Sequence, residues 1–160
     1  MAPRRLHTTE DYTMKTFAAV LLFVFPLLAA DPPGFNLWTS AELKSFDKKL
    51  AGKKVGTETL TRYGNHYTMV AHREADGEAE FHETDADLFV IESGSGTLIV
   101  GGEMVDAKRT AEHEMRAPSI RNGTSHHVSA GDIVHIPAKT PHQFMVPSGK
   151  VTYFVMKVSE

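Results

Sequence analysis

The chain has 160 residues, with 17 basic and 20 acidic side chains, nine histidines and no cysteine. This length suits one domain, with or without an appended segment. The net charge of -3 and the mixture of signs argue against a nucleic-acid surface, which needs clustered positive charge. The lack of cysteine excludes disulfides and thiolate metal sites, so histidine is the soft ligand that remains for any metal.

The N-terminal segment, residues 1–30, is predicted to be a secretory signal peptide. Residues 17–30 carry no charge, follow Lys15 and end in two alanines, which is the pattern of an export signal. A helix of this length covers about 21 Å, too short for a hydrocarbon core of ~30 Å. We therefore expect cleavage after this segment, no stable membrane span afterwards, and export to the periplasm or the cell exterior. Met14 is an alternative start, which would make residues 1–13 an upstream extension.

The next segment, residues 31–54, is predicted to be an extended lead-in followed by a short helix. Thr39 and Glu42 have the spacing of a capping box, in which each residue satisfies a backbone N–H of the other. Gly52 is a typical helix end. The apolar side chains between these signals share one helical face: Leu43, Phe46 and Leu50.

Residues 55–160 are predicted to form an all-β domain of short antiparallel strands. Alternating or apolar runs recur every eight to twelve residues, with glycine and proline between them, which is typical of a sandwich or barrel. The Asp76-Gly77 pair predicts a hairpin turn, and residues 93–96 predict a second tight turn. Residues 106–122 are charged and break the rhythm, so we expect a loop or a short helix there.

Two segments contain the side chains suited to chemistry. Glu80 and His82 are two residues apart on an extended segment, so their side chains point to the same face. A short turn then returns Asp87 toward that face. His142 begins a strand directly after a turn bounded by two prolines. If both segments belong to one barrel, His142 can meet His82.

These segments resemble the two motifs of the cupin superfamily, G-x5-H-x-H-x(3,4)-E-x6-G and G-x5-P-x-G-x2-H-x3-N. The resemblance spans roughly residues 64–158 and implies a double-stranded β-helix, or jelly-roll barrel, preceded here by the short N-terminal helix. The residues that fall on motif positions are His82, Asp87 and Gly94 in the first motif, and Gly131, Pro137 and His142 in the second.

The chain also departs from the family pattern at five positions, one of which is Val146 at the place of the final asparagine. Glu80 replaces the first histidine, and Asp87 replaces the glutamate. Lys139 holds the glycine position before the second-motif histidine, and Glu74 holds the place of the opening glycine. These departures leave the fold prediction intact and bear on the metal.

The resemblance implies a metal site formed by Glu80, His82, Asp87 and His142. Two imidazoles and one carboxylate hold Fe(II) with open coordination positions, and Glu80 would add a second oxygen donor. Such a set suits Fe, Mn, Zn or Ni about equally well. A bound ion could polarise a carbonyl or enolate, activate water or bind dioxygen. The alternative is a metal-free barrel in which both histidines are hydrogen-bonded core residues and Glu80 faces solvent at a strand edge.

Three functions remain open, because the fold alone does not decide among them. The first is a metal-dependent enzyme, of the dioxygenase, isomerase or lyase class, acting on a small organic molecule with His72, Glu114 or Glu80 as candidate base. The second is a non-catalytic module that binds a sugar or another small molecule, and the third is a storage or structural protein. The resemblance makes a homodimer an expectation. Three further histidines are expected on strand surfaces or beside the ligand residues, namely His126, His127 and His135, and His113 is expected in a solvated loop.

Overall fold

The computed structural model describes residues 30–159. The predicted signal peptide lies outside the described residues, apart from its last residue. Contacts divide the chain into Met1–Pro33, of which residues 30–33 are described, and Gly34–Glu160, which contains every helix and strand given below. Among the described residues, no helix is both long and apolar enough to cross a membrane.

A single helix precedes the strands. Helix α1 spans Ser40–Lys49, and the predicted capping box at Thr39 and Glu42 is confirmed, because each side chain accepts the other residue's backbone N–H. The helix packs against the sheet through a half-buried face. Asp47 attaches it there, since its two carboxylate oxygens accept from Lys150 Nζ at 2.7 Å and from Thr152 Oγ1 at 3.1 Å.

The strands follow in close succession. Their bounds are β1 Val55–Arg62, β2 His66–Arg73, β3 Ala79–His82, β4 Asp85–Val100, β5 Glu103–Val105, β6 Lys108–Ala111, β7 Glu114–Ala117, β8 Ser119–Arg121, β9 Thr124–Ser129, β10 Ile133–Ile136, β11 His142–Met145 and β12 Val151–Ser159.

All strand pairs are antiparallel, and the long strand β4 belongs to two curled sheets. Its first half pairs with β12 and β10, and β12 continues to β2 and β1. Its second half pairs with β9 and β11, and β11 continues through β3 and β7 to β6. Strands β5 and β8 form a separate pair. The predicted all-β, antiparallel jelly-roll barrel with a short N-terminal helix is therefore confirmed.

The tight turn predicted at residues 93–96 is wrong, because β4 runs through this segment without a break. Gly94 has a φ of 74°, and a Cβ there would lie 1.9 Å from the Lys150 carbonyl oxygen. The glycine thus permits close approach of β4 to the segment that leads into β12, rather than a reversal of the chain.

The hairpin predicted at Asp76-Gly77 is also wrong. Strand β2 pairs with β1 and β12, whereas β3 pairs with β11 and β7, so this segment crosses from one sheet to the other. Its ends are fixed by long-range hydrogen bonds. Asp76 Oδ1 accepts from the Val146 N–H at 2.7 Å, and the Gly77 N–H donates to the Phe144 carbonyl at 2.8 Å.

Residues 106–122, expected to be a loop or short helix, instead contain β6, β7 and β8. Strand β6 is exposed along its whole length, and β7 is only half-buried apart from Ala117. Their charged side chains therefore hide the two-residue alternation that marks a strand with one buried face.

The core fills the space between the two sheets. Tyr153 lies at its centre, with ring centroids 5.0 Å from both Phe89 and Phe144. Aliphatic side chains from both sheets complete it, among them Ile91, Leu98, Val128, Ile136 and Val151. The three aromatic residues also line a cavity.

Candidate metal centre

The cavity has a volume of about 410 Å³ and lies between the two sheets. Apolar side chains, among them Met69, Phe89 and Val155, line it together with charged ones. This combination of apolar surface with a few convergent polar groups is typical of small-molecule sites. The charged and imidazole side chains that line it are Arg73, Asp76, Glu78, Glu80, Asp87, Glu114, Arg116, His142 and Lys157.

The four predicted metal ligands come together at this cavity. Strand pairing places His142 of β11 directly opposite Glu80 of β3, and Asp87 follows from the start of β4. Asp87 Oδ2 lies 3.3 Å from His82 Nε2 and 3.3 Å from His142 Nε2. Ligand atoms of Glu80, His82 and His142 all lie within 4.8 Å of one another.

Both histidines turn Nε2 toward Asp87, because their Nδ1 atoms have partners elsewhere. His142 Nδ1 lies 3.1 Å from the Thr140 carbonyl oxygen, an acceptor that favours the proton on Nδ1. His82 Nδ1 lies 2.8 Å from Glu114 Oε1, so the carboxylate stands directly beside this nitrogen. His142 Nε2 is buried with no hydrogen-bond partner among residues 30–159. The donor set therefore fits a divalent transition metal.

Glu80 is held by two arginines. Its Oε1 accepts from Arg73 Nη2 at 3.0 Å and lies 2.7 Å from Arg116 Nη1, while Oε2 lies 3.7 Å from His82 Nε2. Burial opposes ionisation of Glu80, but the charges of Arg116, His142 and Arg73 outweigh it and lower its pKa. The arginines thus neutralise the charge at Oε1, whereas Oε2 is the oxygen that faces His82.

Lys157 also belongs to this cluster, although neither sequence motif includes it. Its Nζ lies 2.6 Å from Asp87 Oδ1 and 2.6 Å from His82 Nε2, and only 8% of the side chain is exposed. Alternation along β12 puts it on the same face as the buried Tyr153 and Val155. A lysine in phase with buried apolar residues was the sequence signal that could have revealed it.

Neighbouring charged groups determine the pKa values in this cluster. Burial disfavours ionised Asp87, but contacts from His142, His82 and Lys157 hold its pKa well below the ordinary 3.8. Burial likewise opposes a charged His82, yet Asp87 and Glu114 raise its pKa to about 9. Because a hydrogen bond needs one acceptor, Lys157 Nζ and His82 Nε2 cannot both carry all their protons in their 2.6 Å contact.

The candidate bases Glu114 and His72 are placed differently. Glu114 lies on β7 and lines the cavity. His72, in contrast, projects from the other face of β2, where it is fully buried between Thr152 Oγ1 at 2.7 Å and Glu74 Oε1 at 3.0 Å. The structure thus corrects the expectation that His72 reaches the cavity. Four further histidines are exposed: His113, His126, His127 and His135.

Comparison with known proteins gives fold likenesses at low sequence identity. No family model and no curated protein matches the chain. The chain is 13% identical to the protein BH2720 of Bacillus halodurans, over 81% of this chain and 83% of that one, with a TM-score of 0.57. It is 10% identical to the Cnp3 cupin domain of Schizosaccharomyces pombe, with 68% and 66% covered and a TM-score of 0.50.

A third likeness is to the DMSP lyase DddQ of Ruegeria pomeroyi, at 13% identity and a TM-score of 0.49; 67% of this chain and 48% of that one are covered. The chain thus spans about half the length of that lyase and about two thirds of the Cnp3 domain. Fold and motifs nevertheless agree: the chain has the fold of the cupin superfamily, the family that its two sequence motifs resemble.

Proposed function

We propose that this chain is an exported cupin that binds one divalent transition metal through His82, His142, Asp87 and Glu80, and that it is a metal-dependent enzyme acting on a small organic molecule. The observation that carries the proposal is the orphaned His142 Nε2, buried 3.3 Å from Asp87 Oδ2. A buried polar atom without a partner costs about 1–3 kcal/mol, which coordination of a cation would remove.

The surrounding residues support the same assignment. Ligating histidines commonly pair the other ring nitrogen with a carboxylate or a backbone carbonyl, which are the roles that Glu114 and Thr140 fill here. When bound, a divalent ion would supply Lewis-acid polarisation of a substrate oxygen. Fe, Mn, Zn and Ni stay open as its identity, and dioxygenase, isomerase and lyase stay open as the reaction class.

Two cavity residues are suited to moving or holding a substrate proton. Glu114 Oε2 is buried and has no hydrogen-bond partner within residues 30–159, so it is our candidate for the base. The Tyr67 hydroxyl also lines the cavity, and burial, together with the charge of Asp87, raises its pKa to about 12. Tyr67 therefore stays protonated near neutral pH and acts as a hydrogen-bond donor. Met69, Phe89 and Val155 would exclude water from an apolar part of the substrate.

A second candidate function is a small-molecule-binding module without turnover. Lys157 favours it, because its ammonium already contacts His82 and Asp87 and supplies the positive charge that an ion would otherwise bring. In this alternative the charged side chains that line the cavity would bind hydroxyl or carboxylate groups of a sugar or other small ligand.

Elemental analysis of protein recovered from its native compartment tests the proposal, with about one transition metal per chain expected. The double variant His82→Ala/His142→Ala should lose the metal. The matched control His126→Ala/His127→Ala removes two exposed histidines and should retain it. Wild-type protein that holds no metal after exposure to Mn, Fe, Ni and Zn would overturn the metal site. Metal binding without turnover in a broad small-molecule screen would favour the binding module.

Export and assembly are further parts of the proposal. The uncharged run 17–30 after Lys15 supports export, and N-terminal sequencing of the secreted or periplasmic protein should find a chain beginning near Asp31. A full-length N-terminus on protein found only in the cytoplasm would contradict it. The homodimer stays a prediction, which sedimentation equilibrium can test.

A further inference from the structure

Lys157 contacts two of the proposed metal ligands, His82 and Asp87. Its ammonium lies 2.6 Å from His82 Nε2 and 2.6 Å from Asp87 Oδ1. Asp87 Oδ1 accepts from this ammonium, and the contact at His82 takes up the Nε2 position that a metal would need, because a single nitrogen cannot serve an ammonium and a metal together. Any ion that binds His82 must therefore displace Lys157 from this nitrogen.

The backbone holds Lys157 at this place. Strand β12 is paired on both sides, and Lys157 stands opposite Asp87 of β4 and Tyr67 of β2. The stem cannot leave the cavity wall without breaking two ladders, so only the end of the side chain can move. An ammonium retained this close to a divalent ion repels it, since both are positively charged. The repulsion is strong here because the cavity wall is shielded from water.

The two oxygens of Asp87 allow the displacement to be partial. Oδ1 is the oxygen that contacts Lys157, whereas Oδ2 is the one that lies 3.3 Å from both histidine Nε2 atoms. Lys157 can therefore release His82 and keep its bond to Asp87. Asp87 then neutralises the lysine with one oxygen and faces the ion with the other.

We infer that Lys157 sets the affinity of this site for a divalent cation, since its ammonium competes with the ion for His82 and Asp87. The inference rests on the proposed function, because it takes these residues to be metal ligands. It assigns Lys157 a role in positioning the ligands, and the role is measurable in binding without any turnover.

The test is a titration with Co²⁺, followed by its visible absorption and by calorimetry, on wild type, Lys157→Met, Lys157→Gln and Lys150→Met. Methionine keeps the length of the stem without the charge, and glutamine still hydrogen-bonds Asp87. Lys150→Met removes a half-exposed lysine that precedes the same strand. Circular dichroism confirms that each variant is folded before titration.

We expect Lys157→Met and Lys157→Gln to bind Co²⁺ at least about tenfold more tightly than wild type, and Lys150→Met to match wild type. Equal or weaker binding in both folded Lys157 variants would overturn the inference, while the proposed function would stand if wild type binds the ion. Binding by the Lys157 variants alone would support the inference and overturn the metal site of wild type. Absence of binding in every protein would overturn both.

Discussion

Lys157 Nζ donates to Asp87 Oδ1 over 2.6 Å, and the two residues are direct cross-strand neighbours on β12 and β4. Both side chains are almost fully buried, with 8% and 1% of their surfaces exposed. A buried pair of this kind is costly to break on one side only, because the remaining charge loses a close partner of opposite charge. The pair therefore links the stability of the barrel to the proposed site.

Single substitutions in this pair should destabilise the barrel strongly. In the presence of a chelator, Asp87→Asn and Lys157→Met should each lower the free energy of unfolding by about 3–5 kcal/mol. The double variant should lose clearly less than the sum, since it leaves no unpaired charge. Urea denaturation measures all of these values.

An exposed ion pair provides the control for that cycle. Arg121 Nη2 and Glu103 Oε2 are 2.6 Å apart, but about two thirds of each side chain is exposed. Arg121→Met should therefore change stability by no more than about 1 kcal/mol. Additive losses at Asp87 and Lys157 would show that the two charges are not coupled.

The contact between Glu114 and His82 should tune metal affinity. Replacing the carboxylate in Glu114→Gln removes the charge beside His82 Nδ1, and we expect metal affinity to fall by about 10–100-fold. Isothermal titration calorimetry checks the value. Glu112→Gln changes a neighbouring carboxylate that is 89% exposed, and its affinity should remain that of wild type. Unchanged affinity in Glu114→Gln would remove Glu114 from the site.

Lys139 carries a strained backbone that glycine should relieve. It occupies the glycine position of the second motif and has a φ of 62°, in the left-handed region that costs a side chain about 1–2 kcal/mol. Its N–H donates to the His82 carbonyl at 2.7 Å, so the strained residue helps to hold the end of β3, which carries His82. Lys139→Gly should stabilise the protein by about 0.5–1 kcal/mol, after the greater chain entropy of glycine is counted.

Thermal or urea denaturation measures that gain. Lys44→Gly, within α1, serves as its counterpart and should destabilise by about 1 kcal/mol, because glycine is a poor helix former. Destabilisation by Lys139→Gly would mean that its side chain makes a contribution that exceeds the backbone strain.

Acid should release the helix from the barrel. The bond from Lys150 lowers the pKa of Asp47 below the ordinary 3.8, and the Gly52 N–H, followed by His72, lowers that of Glu74 below 4.5. A carboxyl with a lowered folded pKa stabilises the fold above its unfolded pKa and loses this contribution as the pH falls through its folded value.

Stability should therefore fall below about pH 4.5, and Asp47→Asn/Glu74→Gln should flatten that part of the profile while lowering stability near pH 7. Urea midpoints recorded across the pH range measure both effects. Glu112→Gln, in which an exposed carboxylate is replaced, is the control. A double variant with the steepness of wild type would assign the acid sensitivity to other carboxyls.

One local signal in the sequence predicted local structure well, whereas two predicted turns were wrong. The capping box at Thr39 and Glu42 acts within four residues, so the start of α1 follows from the sequence alone. The motif spacings also predicted that His82, Asp87 and His142 meet, since barrel closure brings β3, β4 and β11 together and leaves Asp87 within 3.3 Å of both histidines.

Features that depend on long-range pairing could not be predicted in this way. Gly94 and Gly96 form a typical turn pattern, but the structure uses them where neighbouring strands and the Phe144 ring approach the β4 backbone. Lys157 lies outside both motifs, and its contact with His82 joins residues 75 positions apart. Its role depends on the register of β12 against β4, which no short segment contains.

Strand β4 is hydrogen-bonded on both edges, to β12 and β10 in its first half and to β11 and β9 in its second. Its amide protons can therefore exchange with deuterium only when several strands separate at once, so they should be among the slowest in the molecule. Asp87 lies on β4, whereas Glu114 lies on the more peripheral strand β7. One proposed ligand is thus anchored in the part of the barrel that opens last, and the proposed base belongs to a part that opens earlier.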